Sequence, residues 1–274
     1  MGNKLIRFLI FMLSILITSC THNKPRLNQL SDLQNSTMGM ISTGISYDNA
    51  SMMIQKLIGG PPHKIIFYKD GKELLAALKS GDVDAIPVHQ FVADYLLKRD
   101  PELKQIPVQD QFEGGVIMAV RSDDLHLKTQ LDSAITVLKE NGEMKALEDK
   151  WITNLPVSNE PSNFEIPKIE GAKTVRVGVS GEHIPIDFIA ANGHPAGFNV
   201  AILAEIGRIL NINFEFVILE TQDRFTALYN KKIDLVYCHF QSSDTSYFND
   251  LKTRKWVGTI PYFTYRNGCF LVMK

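Results

Sequence analysis

Between Thr174 and Leu210 the chain commits to one local structure. Val175, Val177 and Val179 form a short β-branched run bounded by Gly and Pro, the pattern of a buried strand. Asn192-Gly193 and Pro195-Ala196-Gly197 signal turns. Val200, Leu203, Ala204, Ile206, Gly207 and Leu210 then recur at helical spacing, with Glu205 and Arg208 on the other face. A strand, a polar loop and a helix in that order put the loop at the carboxyl end of a sheet strand. Open α/β sheets hold ligands at that edge, so the chain is read as α/β with a site after its Val179 strand.

The first residues read as a targeting segment. Lys4 and Arg7 supply a positive start, Leu5–Ile17 holds an apolar run too short for a stable span, and Ile17-Thr18-Ser19-Cys20 has the spacing of a bacterial lipobox. Cys20 is the expected lipidation site, with Met1–Ser19 removed and the lipid anchoring the chain at the cell envelope. Met1–Ser19 carries two bases and no acid, so the formal charge of −1 becomes −3 without it, which argues against a nucleic-acid partner. The roughly 250 residues that remain suffice for two modest α/β lobes or one large domain. Cys238 and Cys269 have no zinc-type spacing; two buried free thiols are favoured over a pair, although an oxidising compartment would permit one.

Thr21–Gln29 reads as a tether. Met38–Ile41 is a strand and Ser46 or Asp48 caps a helix that Gly59-Gly60-Pro61-Pro62 stops. Lys64–Tyr68 is a strand, Glu73–Leu78 a helix, Gly81–Ile86 a strand and Phe91–Leu97 a helix. A strand at Gly115–Val120 and helices at Leu127–Leu138 and Gly142–Trp151 follow. Thr153–Lys173 holds Pro156, Pro161 and Pro167 and reads as a linker. Beyond Leu210 come a strand at Asn213–Leu219, a helix at Gln222–Tyr229, a strand at Ile233–Cys238 and a last strand at Gly268–Met273. Leu74–Ala85 and Phe225–Val236 echo each other, each a helix, a tight turn and an Asp-bearing apolar strand.

The strand ending Gly-Val-Ser, with Pro185 five residues on and Gly197-Phe198-Asn199-Val200 opening a helix, resembles the start of the amino-acid-type (family 3, type II) periplasmic solute-binding proteins. Thr43-Gly44 after a strand, the Leu74–Ala85 run and the closing Lys150-Trp151 are similar to that family's later portion. The resemblance implies a two-lobe clamshell whose chain order is rotated, that is, circularly permuted. The expected division is 1–19 signal peptide, 20–33 tether, 34–110 lobe two, 111–152 completion of lobe one, 153–173 linker and 174–274 start of lobe one. It also implies a single covalent crossing near Val108–Glu113, with the C-terminal strand in lobe one.

By the same resemblance, ligand groups come from strand-end loops. His183, two residues before Pro185, stands where the family places a stacking aromatic, with Tyr237 near the end of the Asp-bearing strand and His239, Gln241 and Ser242 in the run after it. Thr43, Gly44 and Ser46 match the anion-holding loop of the second lobe, and His89 falls where the family has an acid for an α-amino group. The Arg that clamps an α-carboxylate is missing from Cys238–Tyr247, so amino-acid binding does not carry over. The implied protein is a monomeric, lipid-anchored solute-binding protein serving a membrane transporter or sensor. It has no cofactor, and the three histidines, from separate loops, are not read as a metal set. A fold-sharing enzyme such as a dehydratase, using Glu182, Asp187 or Asp223, and a protein-interaction or envelope-sensor module are the alternatives.

Overall fold

The structure is a computed structural model that describes residues 26–108, 113–157, 166–242, 255–266 and 268–274. The targeting segment with Cys20 and the middle of the expected linker lie outside the described residues. In chain order the elements are β1 (Thr37–Ile41), α1 (Tyr47–Ile58), β2 (Lys64–Tyr68), α2 (Gly71–Ser80), β3 (Ile86–His89), α3 (Gln90–Leu97) and β4 (Leu103–Pro107). They continue with β5 (Glu113–Arg121), α4 (Leu125–Glu140), α5 (Glu143–Glu148) and a π turn at Asp149–Thr153. The remainder is β6 (Lys173–Val179), β7 (Glu182–His183), β8 (Asp187–Ile189), β9 (Pro195–Ala196), α6 (Phe198–Leu210), β10 (Ile212–Ile218), α7 (Arg224–Tyr229), β11 (Leu235–Ser242), β12 (Trp256–Gly258), β13 (Phe263–Arg266) and β14 (Gly268–Met273). No described helix is long and apolar enough to cross a membrane.

Local chemistry sets the helix ends. Ser46 accepts the Asn49 amide at the start of α1, and Asp70 accepts the Glu73 amide at the start of α2. Gly59 (φ 74°) and Gly81 (φ 81°) close these helices in the left-handed region. Since Gly81 is that cap, the strand expected over Gly81–Ile86 starts only at Ile86.

The strands fall into two lobes, as the α/β clamshell reading expects. In the large lobe the order is β10-β6-β11-β5-β12, with β13 also on β5. In the small lobe β2-β1 and β3-β14-β4 are joined by a bridge between Met38 and Ala85. Helix α6 is buried almost all round, and Phe198, Val200, Ile202, Leu203 and Ile206 pack into the large-lobe core.

The C-terminal strand corrects one expectation. β14 sits in the small lobe, antiparallel between β3 and β4, whereas 174–274 was assigned whole to lobe one. Gly268 to Val272 are all buried, which makes β14 a central strand apolar on both faces. The chain therefore crosses between lobes twice in the described structure, from β4 to β5 and from β13 to β14, rather than once. Leu33 packs with Phe270 and Val272, so the beginning of the small lobe lies against the end of the chain.

Candidate functional site

The strand β6 ends at Val179, and the loop after it folds into a small sheet in which β8 pairs β7 and β9. Gly197, at φ 108°, starts α6 where an added Cβ would stand 2.6 Å from the Pro185 carbonyl oxygen. Any other residue would push the helix off this loop, so glycine holds the strand–loop–helix unit tight against it.

The loop meets the small lobe through rings. The His89 ring lies 4.3 Å from Phe240, nearly parallel to it, and 4.5 Å edge-on from Tyr265. His183 is 4.5 Å from Phe240 and 6.2 Å from His89, while Phe91 stacks 5.5 Å from His89. Burial pushes the His89 imidazolium down to about 4, and burial, then His89 and Arg224, hold His183 well below its ordinary value. Both rings are thus neutral near pH 7. Each keeps its Nδ1 out of solvent without a hydrogen-bond partner among the described residues.

Polar contacts frame these rings. The Glu182 carboxylate accepts the Gly71 amide at 2.8 Å, bringing an acid of the large lobe to the first turn of α2. Burial, opposed by that hydrogen bond, pushes Glu182 up to about 7. Ser42 donates to Gln222 at 3.2 Å, and Lys69 pairs with Glu220 at 3.1 Å on an exposed edge.

Beneath the rings lies a buried polar layer. Asp187, fully buried, accepts Tyr237 Oη at 2.7 Å and the Gly181 amide at 3.1 Å. Arg224, also buried, donates to the Tyr237 carbonyl at 2.9 Å. Burial raises the Asp187 carboxyl, against the Tyr237 hydrogen bond and the Arg224 charge. Burial and then the Asp187 charge push the Cys238 thiol well up. One imidazole nitrogen of His183, a carboxylate oxygen of Asp187 and Sγ of Cys238 lie within 4.8 Å of one another.

His183 and His89 come together as the sequence suggested; the other candidates scatter. Tyr237 is fully buried under the site rather than facing a gap. His239 turns to the opposite face of β11, edge-on to Phe225 and Trp256 at 5.0 Å each. A β-bulge between Val236 and His239, with Cys238 at φ 56°, inserts one residue and reverses the alternation. Gln241 is exposed opposite Gly115, and Ser242 stands opposite Gly114 with its side chain outside the described residues. Thr43, Gly44 and Ser46 are exposed, and Ser46 is occupied as the α1 cap. Cys238 and Cys269 are free and buried. Phe240, Phe91, Tyr265 and Arg224 were missed. The alternating Phe263-Thr264-Tyr265-Arg266 pattern was the one signal for a strand there. A surface cavity of about 460 Å³ at Asp94, Leu97, Lys98, Ile152 and Thr153 involves none of the predicted ligand residues.

Residues 175–246 match the family model of bacterial extracellular solute-binding proteins, family 3. The family resemblance read from the sequence is shown over this stretch, which runs from β6 through β11. No curated protein matches the sequence. Among solved structures, the chain is similar to the ligand-binding component of an ABC-type import system from Staphylococcus aureus with zinc bound, at 14% identity and TM-score 0.44, covering 88% of this chain and 66% of that one. It is also similar to the GluR0 ligand-binding core of Nostoc punctiforme in complex with L-glutamate (15%, TM-score 0.38, 87% and 84%) and to a putative L-cystine ABC transporter protein of Listeria monocytogenes (13%, TM-score 0.40, 88% and 83%).

Proposed function

We propose that this chain is a solute-binding protein that closes its two lobes on a small molecule at the His89–His183–Phe240 contact. It is a circular permutant of the family order, held at the cell envelope by a lipid on Cys20, and it hands its solute as a monomer to a membrane transporter or sensor. The observation that carries this reading is the family-3 stretch at 175–246, whose first loop brings His183 to within 6.2 Å of His89 on the other lobe. Neutral imidazoles and aromatic rings favour a neutral or weakly charged, planar solute over a free amino acid.

A thermal-shift screen of small solutes on the purified chain tests it. A genuine solute at a hundredfold excess over its Kd stabilises by about 2.7 kcal/mol. That shift is expected to vanish in His183→Ala and in His89→Ala; an undiminished shift in both rejects the site. For the permutation, a reordered chain that joins Lys274 to Arg26 and opens within the 153–173 linker is expected to fold and bind the same solute. Failure of that chain to fold would remove the permutation.

A second reading draws on Glu182 and Asp187, a half-buried and a fully buried carboxyl beside one loop, of which Glu182 reaches about 7, a value suited to proton transfer. An enzyme of the dehydratase kind would convert the solute found in the screen, and Glu182→Gln would stop turnover while binding persists. Unchanged solute after prolonged incubation excludes it.

A further inference from the structure

Three side chains of metal-ligating chemistry meet under the loop after β6. His183 and Asp187 stand opposite each other in register on β7 and β8. The bulge of β11 brings Cys238 to them, so that the three donor atoms lie within 4.8 Å of one another. Cys238 adopts φ 56°, a region a side chain rarely takes, and such strain collects at ligand clamps. The His183 Nδ1 is shielded from solvent and has no hydrogen-bond partner among the described residues, so the ring carries a polar atom that nothing there satisfies.

We propose that His183, Asp187 and Cys238 bind one divalent transition-metal ion of the zinc, cobalt or nickel class. A thiolate, an imidazole and a carboxylate form a borderline-soft donor set that selects these ions over calcium and magnesium. Zinc bonds of about 2.0–2.3 Å place tetrahedral donors roughly 3.3–3.7 Å apart. Side-chain rotations of about 1 Å therefore close the trio, and the fourth position stays open to water or a small ligand. Both Asp187 oxygens are already oriented, one by Tyr237 Oη and one by the Gly181 amide, which fixes the carboxylate beside the other two donors. On binding, the Cys238 S–H proton leaves to solvent and a sulfur–metal bond forms without oxidation or reduction. Arg224 lies near and adds a positive charge, but the thiolate and the Asp187 carboxylate together neutralise a divalent ion.

The test uses the purified, reduced chain, stripped with chelator and then loaded with zinc or cobalt. Elemental analysis is expected to give one metal per chain, and cobalt to show a thiolate-to-metal charge-transfer absorption. That absorption is expected to disappear in Cys238→Ser and to survive in Cys269→Ser. His183→Gln and Asp187→Asn should weaken zinc at least tenfold, whereas His239→Gln should not. His183 is only partly buried, so its variant is expected to fold, with circular dichroism as the check. Less than a tenth of an equivalent of zinc in wild type overturns the site, as does unchanged affinity in folded His183→Gln. The solute screen, run in chelator, is independent of this result.

Discussion

In each lobe an aspartate that follows a helix and a tight turn reaches back to an earlier strand, β1 or β6. Asp84 accepts the Thr37 amide at 2.9 Å in the small lobe, and Asp234 accepts the Arg176 amide at 3.1 Å in the large one. In both, the aspartate's own amide returns a 2.8 Å bond to the same residue's carbonyl. Five residues beyond each aspartate stands a histidine, His89 or His239. The regular β3 delivers His89 to the interlobe rings, whereas the bulge in β11 turns His239 away and puts Phe240 in the facing position. The two lobes repeat one plan, and one inserted residue decides which histidine of an equivalent pair enters the site.

The largest expected difference between the lobes is at the aspartates. Asp234 also holds the Arg176 guanidinium through two bonds of 2.9 and 3.0 Å and meets Arg121 at 3.3 Å. Burial would raise its carboxyl, but the Arg176 hydrogen bonds outweigh that and lower it. Hydrogen bonds to charged groups contribute about 1.5–3 kcal/mol each, so Asp234→Ala is expected to cost about 3 kcal/mol in urea unfolding and Asp84→Ala about half as much. Equal losses would mean that the guanidiniums add nothing.

Next comes the bulge. Phe240 packs into the ring cluster, while its counterpart Gln90 bonds to Asp94 and Gln105 at 2.8 and 2.9 Å. Phe240→Ala is expected to cost about 2 kcal/mol, less than a fully buried Phe, and Gln90→Ala about 0.5 kcal/mol. The same ranking reversed would break the comparison.

The last comparison is in pH. His89 is lowered to about 4 in the folded chain, so its contribution is complete above its ordinary value of 6.5 and is lost as pH falls toward 4. His89→Phe should flatten that acid limb of the melting curve. Glu182 runs the other way. Raised from 4.5 to about 7, it keeps its proton more readily when folded, so stability falls as pH rises through that window. Glu182→Gln should remove that fall, and a slope unchanged by the substitution would place the titration elsewhere.

Most elements were legible because their signals are local. Alternating valines marked β6, helical spacing marked α6, and Gly or Asp at the ends marked the caps. β4 was not legible, since Leu103-Lys104-Gln105-Ile106-Pro107 has no β-branched run, and three-residue β12 is too short to show a period. β14 was legible as a strand but not as a member of either sheet, because an unbroken apolar run shows no face. In the candidate site, His183 was found through its distance from Pro185 and His89 through the family resemblance, at the position of an acid that pairs with an α-amino group. The ring partners come from four separate stretches whose proximity no spacing encodes.

The sequence alone determined the α/β character, the strand–loop–helix at 174–210 and the repeated aspartate unit, since each depends on contacts within a few residues. Tertiary structure decided the rest: which sheet β14 completes, that the chain crosses twice among the described residues, that Tyr237 lies beneath the site and His239 outside it. Backbone register is set by pairing with a distant strand. Opposite β5 a single extra residue in β11 exchanges the two faces, and nothing in Val236-Tyr237-Cys238-His239 announces it.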